Sequence, residues 1–490
     1  MSHHYPRAAS YNRPDALIDL RHPGEEDRHL RLAKHRCQSL TRTLKRVAAN
    51  SPAYRRMAPL LLEAAAITTA GPPVSDSDQW PDWEEVVQKA LARLPFTTEE
   101  ALANSPESYL AASHDEVEGI ITVPTSGSRG QAKRIYSTFG DLESTIEFFR
   151  FGMLNLLDPD QDERVALLMS GTRPGSVGDL LTRALSYWGM KIYVPGFVPA
   201  NDVEEFAAKL MDFRPTSLVG LPSQIVFLTR TIKNLTGIKT VLLSGESAPH
   251  SLKNAIAQGL EAKVFVHYGL TEFGLGGAVE CPWRNHPHLR EADLIAEIIG
   301  PDGRQLSSGK SGELVLTSLS RQAMPLIRYR TGDWASLSDI PCACGSVMRT
   351  ISVTGRLADR LELGDRVLTL SDLGEALYRL PEIASFRPII RQNSNRPFLE
   401  VRVGLVGKPA SLPQTSLLGL GKNNIGLQRK NGPGQPQGPD WPAEFLAPIE
   451  EALNQLLKGQ LPFQVLAETQ TTVPAAGGAK PGLVREESTS

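Results

Sequence analysis

Residues Thr125 to Thr138 read TSGSRGQAKRIYST, and this stretch decides how the rest of the chain is read. It places Gly127 and Gly130 among the hydroxyls of Thr125, Ser126 and Ser128, with Lys133 near its end. Runs that read as strands flank it, GIITVPT (119–125) before and RIYST after. Glycines let backbone amides approach an anion, while hydroxyls and an ammonium group neutralise it, so the loop asks for a phosphate. A nucleotide P-loop needs Gly-x-x-x-x-Gly-Lys followed by Ser or Thr. Counted from Gly127, the residue before Lys133 is Ala132 and the residue after it is Arg134. The hydroxyl that would hold magnesium is missing, and the following segment reads as a strand rather than a helix. The loop does not read as that of a P-loop kinase or ATPase. A different phosphate loop and a plain glycine-rich turn both remain.

Outward from the loop a regular alternation appears. RVALLMS (164–170), KIYVPG (191–196), TSLVGLP (216–222), KTVLLSG (239–245) and KVFVHYG (263–269) read as short buried strands. VGDLLTRALSYWG, DVEEFAAKLMDF, SQIVFLTRTIKNL and PHSLKNAIAQGL between them read as helices. Apolar strands alternating with helices predict an α/β fold with a mainly parallel, helix-covered sheet. Ligands of such sheets bind beyond the carboxyl ends of the strands. From about residue 293 the rhythm changes: DLIAEIIGPDGRQLSSGKSGELVLTSL reads as strands around a Pro-Asp-Gly turn, a β-rich subdomain of about 280–355. A smaller α/β unit follows over 356–490, interrupted at 408–440 by a stretch rich in Gly, Pro, Gln and Asn that reads as a flexible insertion. The domain reading is therefore 1–355 and 356–490.

The bulk properties narrow the function. At 490 residues the chain exceeds what one core usually holds. Its 41% apolar and 22% charged content is that of a soluble globular protein. Fifty-two basic against 54 acidic residues leave a net charge of -2, no footprint for nucleic acid or an anionic membrane. No apolar run approaches the roughly 18 residues of a membrane span, and MSHHYPRAAS lacks the apolar core of a signal peptide. Four cysteines are too few for a disulfide scaffold, so a reducing cytoplasm is expected. In HLRLAKHRCQSLTRTLKRVAA (28–48), Leu30, Ala33, Cys37, Leu40, Leu44 and Val47 predict an amphipathic helix with a basic outer face. That face reads either as solvated or as a membrane-surface element.

Further segments identify the loop. SGES (Ser244–Ser247) follows TVLL, HYGLTE (His267–Glu272) follows KVFV, and RYRTGD (Arg328–Asp333) and TGRLAD (Thr354–Asp359) come later. With TSGSRGQAK, these resemble in order the five motifs of the adenylate-forming superfamily, which includes acyl-CoA ligases, luciferases and peptide-synthetase adenylation domains. Arg129 stands where that pattern has threonine, Ala132 where it has proline, and Ala358 where the hinge has an acidic residue. NSPAYRR (50–56) and LPFTTEEALANSPESYL (94–110) resemble the N-terminal region of the phenylacetate-CoA ligase-like subfamily. The likeness covers about 30–390 and, more loosely, the rest.

Cys281, His286, His288, Cys342 and Cys344 offer zinc-type donors, with buried reduced thiols as the alternative. The subfamily resemblance implies a structural zinc on Cys281, His288, Cys342 and Cys344, with His286 as the competing ligand. It further implies that Thr125, Ser126, Gly127, Ser128, Gly130 and Lys133 hold the β- and γ-phosphates of ATP. Thr271 would meet the α-phosphate and Glu272 magnesium. Gly245, Glu246, Ser247, Tyr268 and Gly269 would line adenine, and Asp333 and Arg356 would grip the ribose side. Lys480, in VPAAGGAKPGLVR, would enter the adenylating site from a small mobile C-terminal domain. The implied reaction converts a carboxylic acid to an acyl-adenylate with release of pyrophosphate, then passes the acyl group to CoA.

Tyr187, Trp188, Phe197, LPSQI (221–225) and GLGGA (274–278) read as the acid pocket, whose glycines leave room for a flat aryl or arylacetic ring. Three alternatives stay open: transfer to a carrier protein, an AMP ester as product, and a nucleotide-binding relative without catalysis. The oligomeric state is open too, a homodimer included.

Overall fold

The computed structural model describes residues 28–70, 83–123, 133–158, 161–171, 173–199, 202–283, 286–363, 366–393, 396–406, 443–469 and 484–486. They form two compact units. One draws on the chain up to Glu163, on Ser170–Ile192 and on Phe265–Val353; the other on Arg164–Met169, Tyr193–Val264 and the chain from Thr354 on.

The first unit opens with the helices Arg28–Asn50, Ala58–Ala70 and Trp83–Leu91. Cys37, Leu40, Leu44 and Val47 are buried, as their spacing predicts, and Leu32 joins them. Arg36, expected on the basic outer face, is buried instead. Its guanidinium lies 2.5 Å from Glu84 and 3.7 Å from Glu291, and that pairing is what allows an arginine inside.

The strand Val117–Val123 does not enter a parallel sheet. It pairs antiparallel with Lys133–Thr138 in a sheet of its own, with Val123 opposite Lys133. The 124–132 connection is too short for the dozen or more residues of a parallel crossover. Thr138 then caps the helix Phe139–Leu154 through a reciprocal pair with Asp141. A larger sheet runs in the order Leu294–Ile299, Ser311–Ser318, Tyr329–Ser338, Thr350–Arg356, His288–Leu289, Ala278–Val279, Lys263–Tyr268. Its first two strands are antiparallel and turn at Pro301-Asp302-Gly303, where Gly303 has φ 78°.

In the second unit the βα alternation gives a parallel set: Arg164–Leu168, Ser217–Gly220 and Thr240–Ser244. The helices Val203–Phe213, Pro222–Thr231 and His250–Leu260 accompany them. From Thr354 on come the helices Leu370–Leu377 and Ala443–Leu457. They go with a four-stranded sheet ordered Phe463–Thr469, Arg396–Leu405, Ile383–Asn393, Val484–Glu486. Leu368, Leu373 and Leu377 share an apolar cluster with Leu252 and Ile256. The 408–440 insertion lies outside the described residues.

Candidate active site

Lys133 is the first residue of its strand, and its side chain is only 7% exposed. Its Nζ donates to Glu272 Oε1 at 2.6 Å and to Glu99 Oε1 at 2.8 Å. Glu272 sits in the turn Thr271–Phe273 directly after the strand Lys263–Tyr268, at the strand end where such sheets bind ligands. Tyr329 Oη donates to the same Glu272 oxygen at 3.0 Å. Burial alone would raise the Glu272 carboxyl. The Lys133 charge, with hydrogen bonds from Lys133 and Tyr329, outweighs burial and holds the carboxyl below its usual range. Burial would likewise lower Lys133, but Glu272 and Glu99 raise it overall. Both groups are therefore charged in the interior.

Tyr329 reaches Glu272 from a strained neighbour. Arg328 adopts φ 45°, a left-handed conformation that costs a side-chain-bearing residue about 1 kcal/mol or more. Its partners offset this. The guanidinium pairs in a fork with buried Glu297 at 3.0 and 2.8 Å, donates to the Leu94 carbonyl at 2.7 Å, and lies 4.2 Å from the Phe96 ring centre. Thr97 exchanges backbone hydrogen bonds with Arg328 and Arg330 at 3.0 and 2.9 Å. Its hydroxyl donates to the Ile327 carbonyl at 2.7 Å and lies 2.9 Å from Tyr54 Oη. The LPFTTEE segment is thus stitched to the strand that carries Tyr329.

Two other expected residues meet. Tyr268 Oη donates to Asp333 Oδ2 at 2.7 Å, and the Asp333 N–H is held by Thr331 Oγ1 at 3.1 Å. Between them and Glu272 the backbone doubles back tightly. A Cβ on Gly269 would lie 1.9 Å from the Leu275 carbonyl oxygen, so only glycine fits. Gly276 corrects the expectation of an open glycine-lined pocket. A Cβ there would lie 2.3 Å from the Phe148 ring, so that space is already filled. Phe148 and Phe149 in turn flank buried His267, whose imidazole is pushed down to about 4 by burial and is neutral.

Of the remaining expected residues, Thr271 is half-buried in its turn and Arg356 half-buried at the end of its strand. In the second unit Gly245 has φ 89°, Glu246 accepts the Ser223 N–H at 3.0 Å, and Ser247 is exposed. Thr125, Ser126, Gly127, Ser128, Gly130 and Lys480 lie outside the described residues. Sequence reading did not find Glu99, Tyr329, Arg328 or Thr97. The signal for the first and last was the quoted LPFTTEE run, and for the other two the Arg-Tyr that opens RYRTGD.

Cys281, His288, Cys342 and Cys344 converge, their donor atoms all within 4.8 Å of one another. Cys281 Sγ lies 3.7 Å from Cys342 Sγ and Cys344 Sγ 3.3 Å from His288 Nε2. A tetrahedral zinc with bonds of about 2.3 Å to sulfur sets its ligand atoms about 3.5 to 3.8 Å apart, close to these two separations, and the donor types are those zinc takes. His288 Nδ1 bonds the Met348 carbonyl at 2.9 Å, which aims Nε2 at the cluster, and the Ser346 N–H steadies Cys344 Sγ at 3.4 Å. Hydrogen bonding within the group holds the Cys281 thiol down and pushes Cys344 up, as for thiols sharing a proton. None of the four cysteines is in a disulfide. His286 is exposed and outside the group.

Residues 61–322 match the family described as AMP-binding enzyme. The chain belongs to that family of adenylate-forming enzymes, in its phenylacetate-CoA ligase-like branch. A phenylacetate-coenzyme A ligase of Aromatoleum evansii is 30% identical over 316 residues, 60% of this chain and 67% of that one. Another, of Thermus thermophilus, is 26% identical over 334 residues, 64% of this chain and 72% of that one. Among solved structures, a 2-hydroxyisobutyryl-CoA ligase in a postadenylation state superposes with a TM-score of 0.70. It is 15% identical, covers 94% of this chain and 90% of that one, and shares the fold.

Proposed function

We propose that the protein activates an arylacetic acid, of the phenylacetate type, as its acyl-adenylate and transfers the acyl group to CoA. It is an AMP-forming acid–CoA ligase that uses ATP. The acid class follows the phenylacetate ligases it resembles. The observation that carries the site assignment is the buried Lys133–Glu272–Tyr329 cluster beyond the strand Lys263–Tyr268.

In the first half-reaction a substrate carboxylate oxygen bonds to the α-phosphorus of ATP. The bond from that phosphorus to the bridging oxygen breaks, and pyrophosphate leaves. The need is for fixed positive charge around the phosphates rather than covalent help. Lys133 supplies such charge at the end of the glycine-rich stretch, with Thr125, Ser126, Gly127, Ser128 and Gly130 as its partners on the β- and γ-phosphates. Thr271 donates toward the α-phosphate, and Asp333 accepts from the ribose hydroxyls once Tyr268 turns to the base. Gly245, Glu246, Ser247 and Gly269 complete the adenine side, with Arg356 by the ribose. Glu272 would hold magnesium, which neutralises the phosphates when bound. In the second half-reaction the CoA thiol attacks the acyl carbonyl, and AMP leaves.

The domain reading belongs to the same proposal. Residues 1–355 carry the nucleotide site, and 356–490 form a lid that brings Lys480 to the α-phosphate. Cys281, His288, Cys342 and Cys344 would hold a structural zinc with no position left for a substrate. Incubation with Mg-ATP, CoA and phenylacetate should yield phenylacetyl-CoA and one AMP per thioester. Formation of ADP, or of an AMP ester that CoA does not consume, would overturn the reading.

A further inference from the structure

Glu99 has no part in the reaction described so far, yet it is one of two carboxylates on the phosphate lysine. Its Oε1 lies 2.8 Å from Lys133 Nζ, against 2.6 Å for Glu272. The glutamate is not there by the accident of a loose surface chain. Thr97 is fixed by hydrogen bonds to Ile327, Arg328 and Arg330, and Thr98 caps the helix Glu99–Asn104, accepting the Ala101 N–H at 3.2 Å. Glu99 is the first residue of that helix, and its side chain is 29% exposed while Lys133 is 7% exposed. One ammonium thus faces two carboxylates, and the trio carries one net negative charge.

A triphosphate approaching without a metal meets a lysine already taken by two anions and a site of like charge. With magnesium the triphosphate would bring a cation for Glu272 to hold, which would free one tie on Lys133 and lessen the repulsion by two charges. Glu99 then remains as the partner that keeps the ammonium at the strand end, beside the phosphates.

We propose that Glu99 is a specificity-determining residue that makes the Lys133 site accept the magnesium complex of ATP and reject the free nucleotide. This rests on the assignment of Lys133 to the ATP phosphates, so the test separates the two. Binding of ATP is measured by calorimetry on the full chain, once with EDTA and once with excess magnesium, for wild type, Glu99→Gln, Glu99→Asp and Lys133→Met. Glu99→Gln should bind metal-free ATP roughly tenfold more tightly than wild type, the weight of one charge-assisted contact, and Mg-ATP nearly as wild type. Glu99→Asp, which keeps the charge, should retain the wild-type preference. Glu99→Ala replaces Glu99→Gln if the latter fails to fold by thermal melting. Metal-free ATP binding that is unchanged or weaker in the charge-removing variant overturns the role of Glu99. If Lys133→Met binds Mg-ATP as wild type does, the phosphate assignment itself is wrong.

Discussion

Two polar clusters in the same unit differ in how far they are closed. At Lys133 one ammonium serves two carboxylates, and Glu272 Oε1 also takes the Tyr329 hydroxyl. The charges do not cancel, and every contact is one that a metal or a phosphate can replace. At Cys281, His288, Cys342 and Cys344 the donors converge on one point, and His288 and Cys344 are each fixed from behind by Met348 and Ser346. A third buried group, Arg328 with Glu297, marks the fully satisfied extreme, since its guanidinium spends donors on both carboxylate oxygens and on a carbonyl. All three are half-buried or more, so burial does not separate chemistry from architecture. Exchangeability of the partners does.

The comparison breaks first at Glu272. Glu272→Gln should lower adenylation by a factor on the order of 10² to 10³ with the fold intact, because an amide cannot supply the charge a metal needs beside three phosphates. AMP formation measured against magnesium concentration checks this, and near wild-type turnover at limiting magnesium would count against it. At the closed cluster the order of effects should invert. Cys342→Ser should cost about 3 kcal/mol or more of unfolding free energy and reduce activity only as a consequence, because metal binding there is folding energy. Elemental analysis of chain purified without chelators should find one zinc, and its absence ends the assignment.

Two smaller changes sharpen the contrast. Gly269→Ala forces a Cβ against the Leu275 carbonyl. It should cost about 2 kcal/mol and shift the Thr271–Glu272 turn, so denaturant midpoint and adenylation should fall together. Tyr329→Phe removes one hydrogen bond to a charged oxygen, worth about 1.5 kcal/mol. Its readout is a raised KM for ATP, and an unchanged KM would show that Tyr329 is only packing.

The strands of the βα alternation were legible in the sequence because apolar runs between helices are a local pattern, whereas the grouping of Cys281, His288, Cys342 and Cys344 came from the subfamily resemblance, since its two halves lie about 60 residues apart. The position of Val117–Val123 was not legible, since its apolar run does not say which neighbour it pairs with, and connection length decided that. Arg36 was misplaced for a related reason: helical periodicity marks the faces but does not show that Glu84 and Glu291 wait opposite. The GLGGA segment was read as open space, yet what faces Gly276 is Phe148, more than 120 residues away in sequence. Glu99 and Tyr329 stand inside the quoted LPFTTEE and RYRTGD runs, but their partners became visible only when Lys133 and Glu272 were placed beside them.

The central claim is that this site adenylates a carboxylic acid, and pyrophosphate exchange tests it most directly. Purified protein with ATP, magnesium and labelled pyrophosphate is assayed with phenylacetate, benzoates, indoleacetate and fatty acids in turn, without CoA. Label should enter ATP only when an acid is present, fastest with an arylacetate, and not in Glu272→Gln. Exchange with no acid of the panel, or equal exchange without any acid, would contradict the claim.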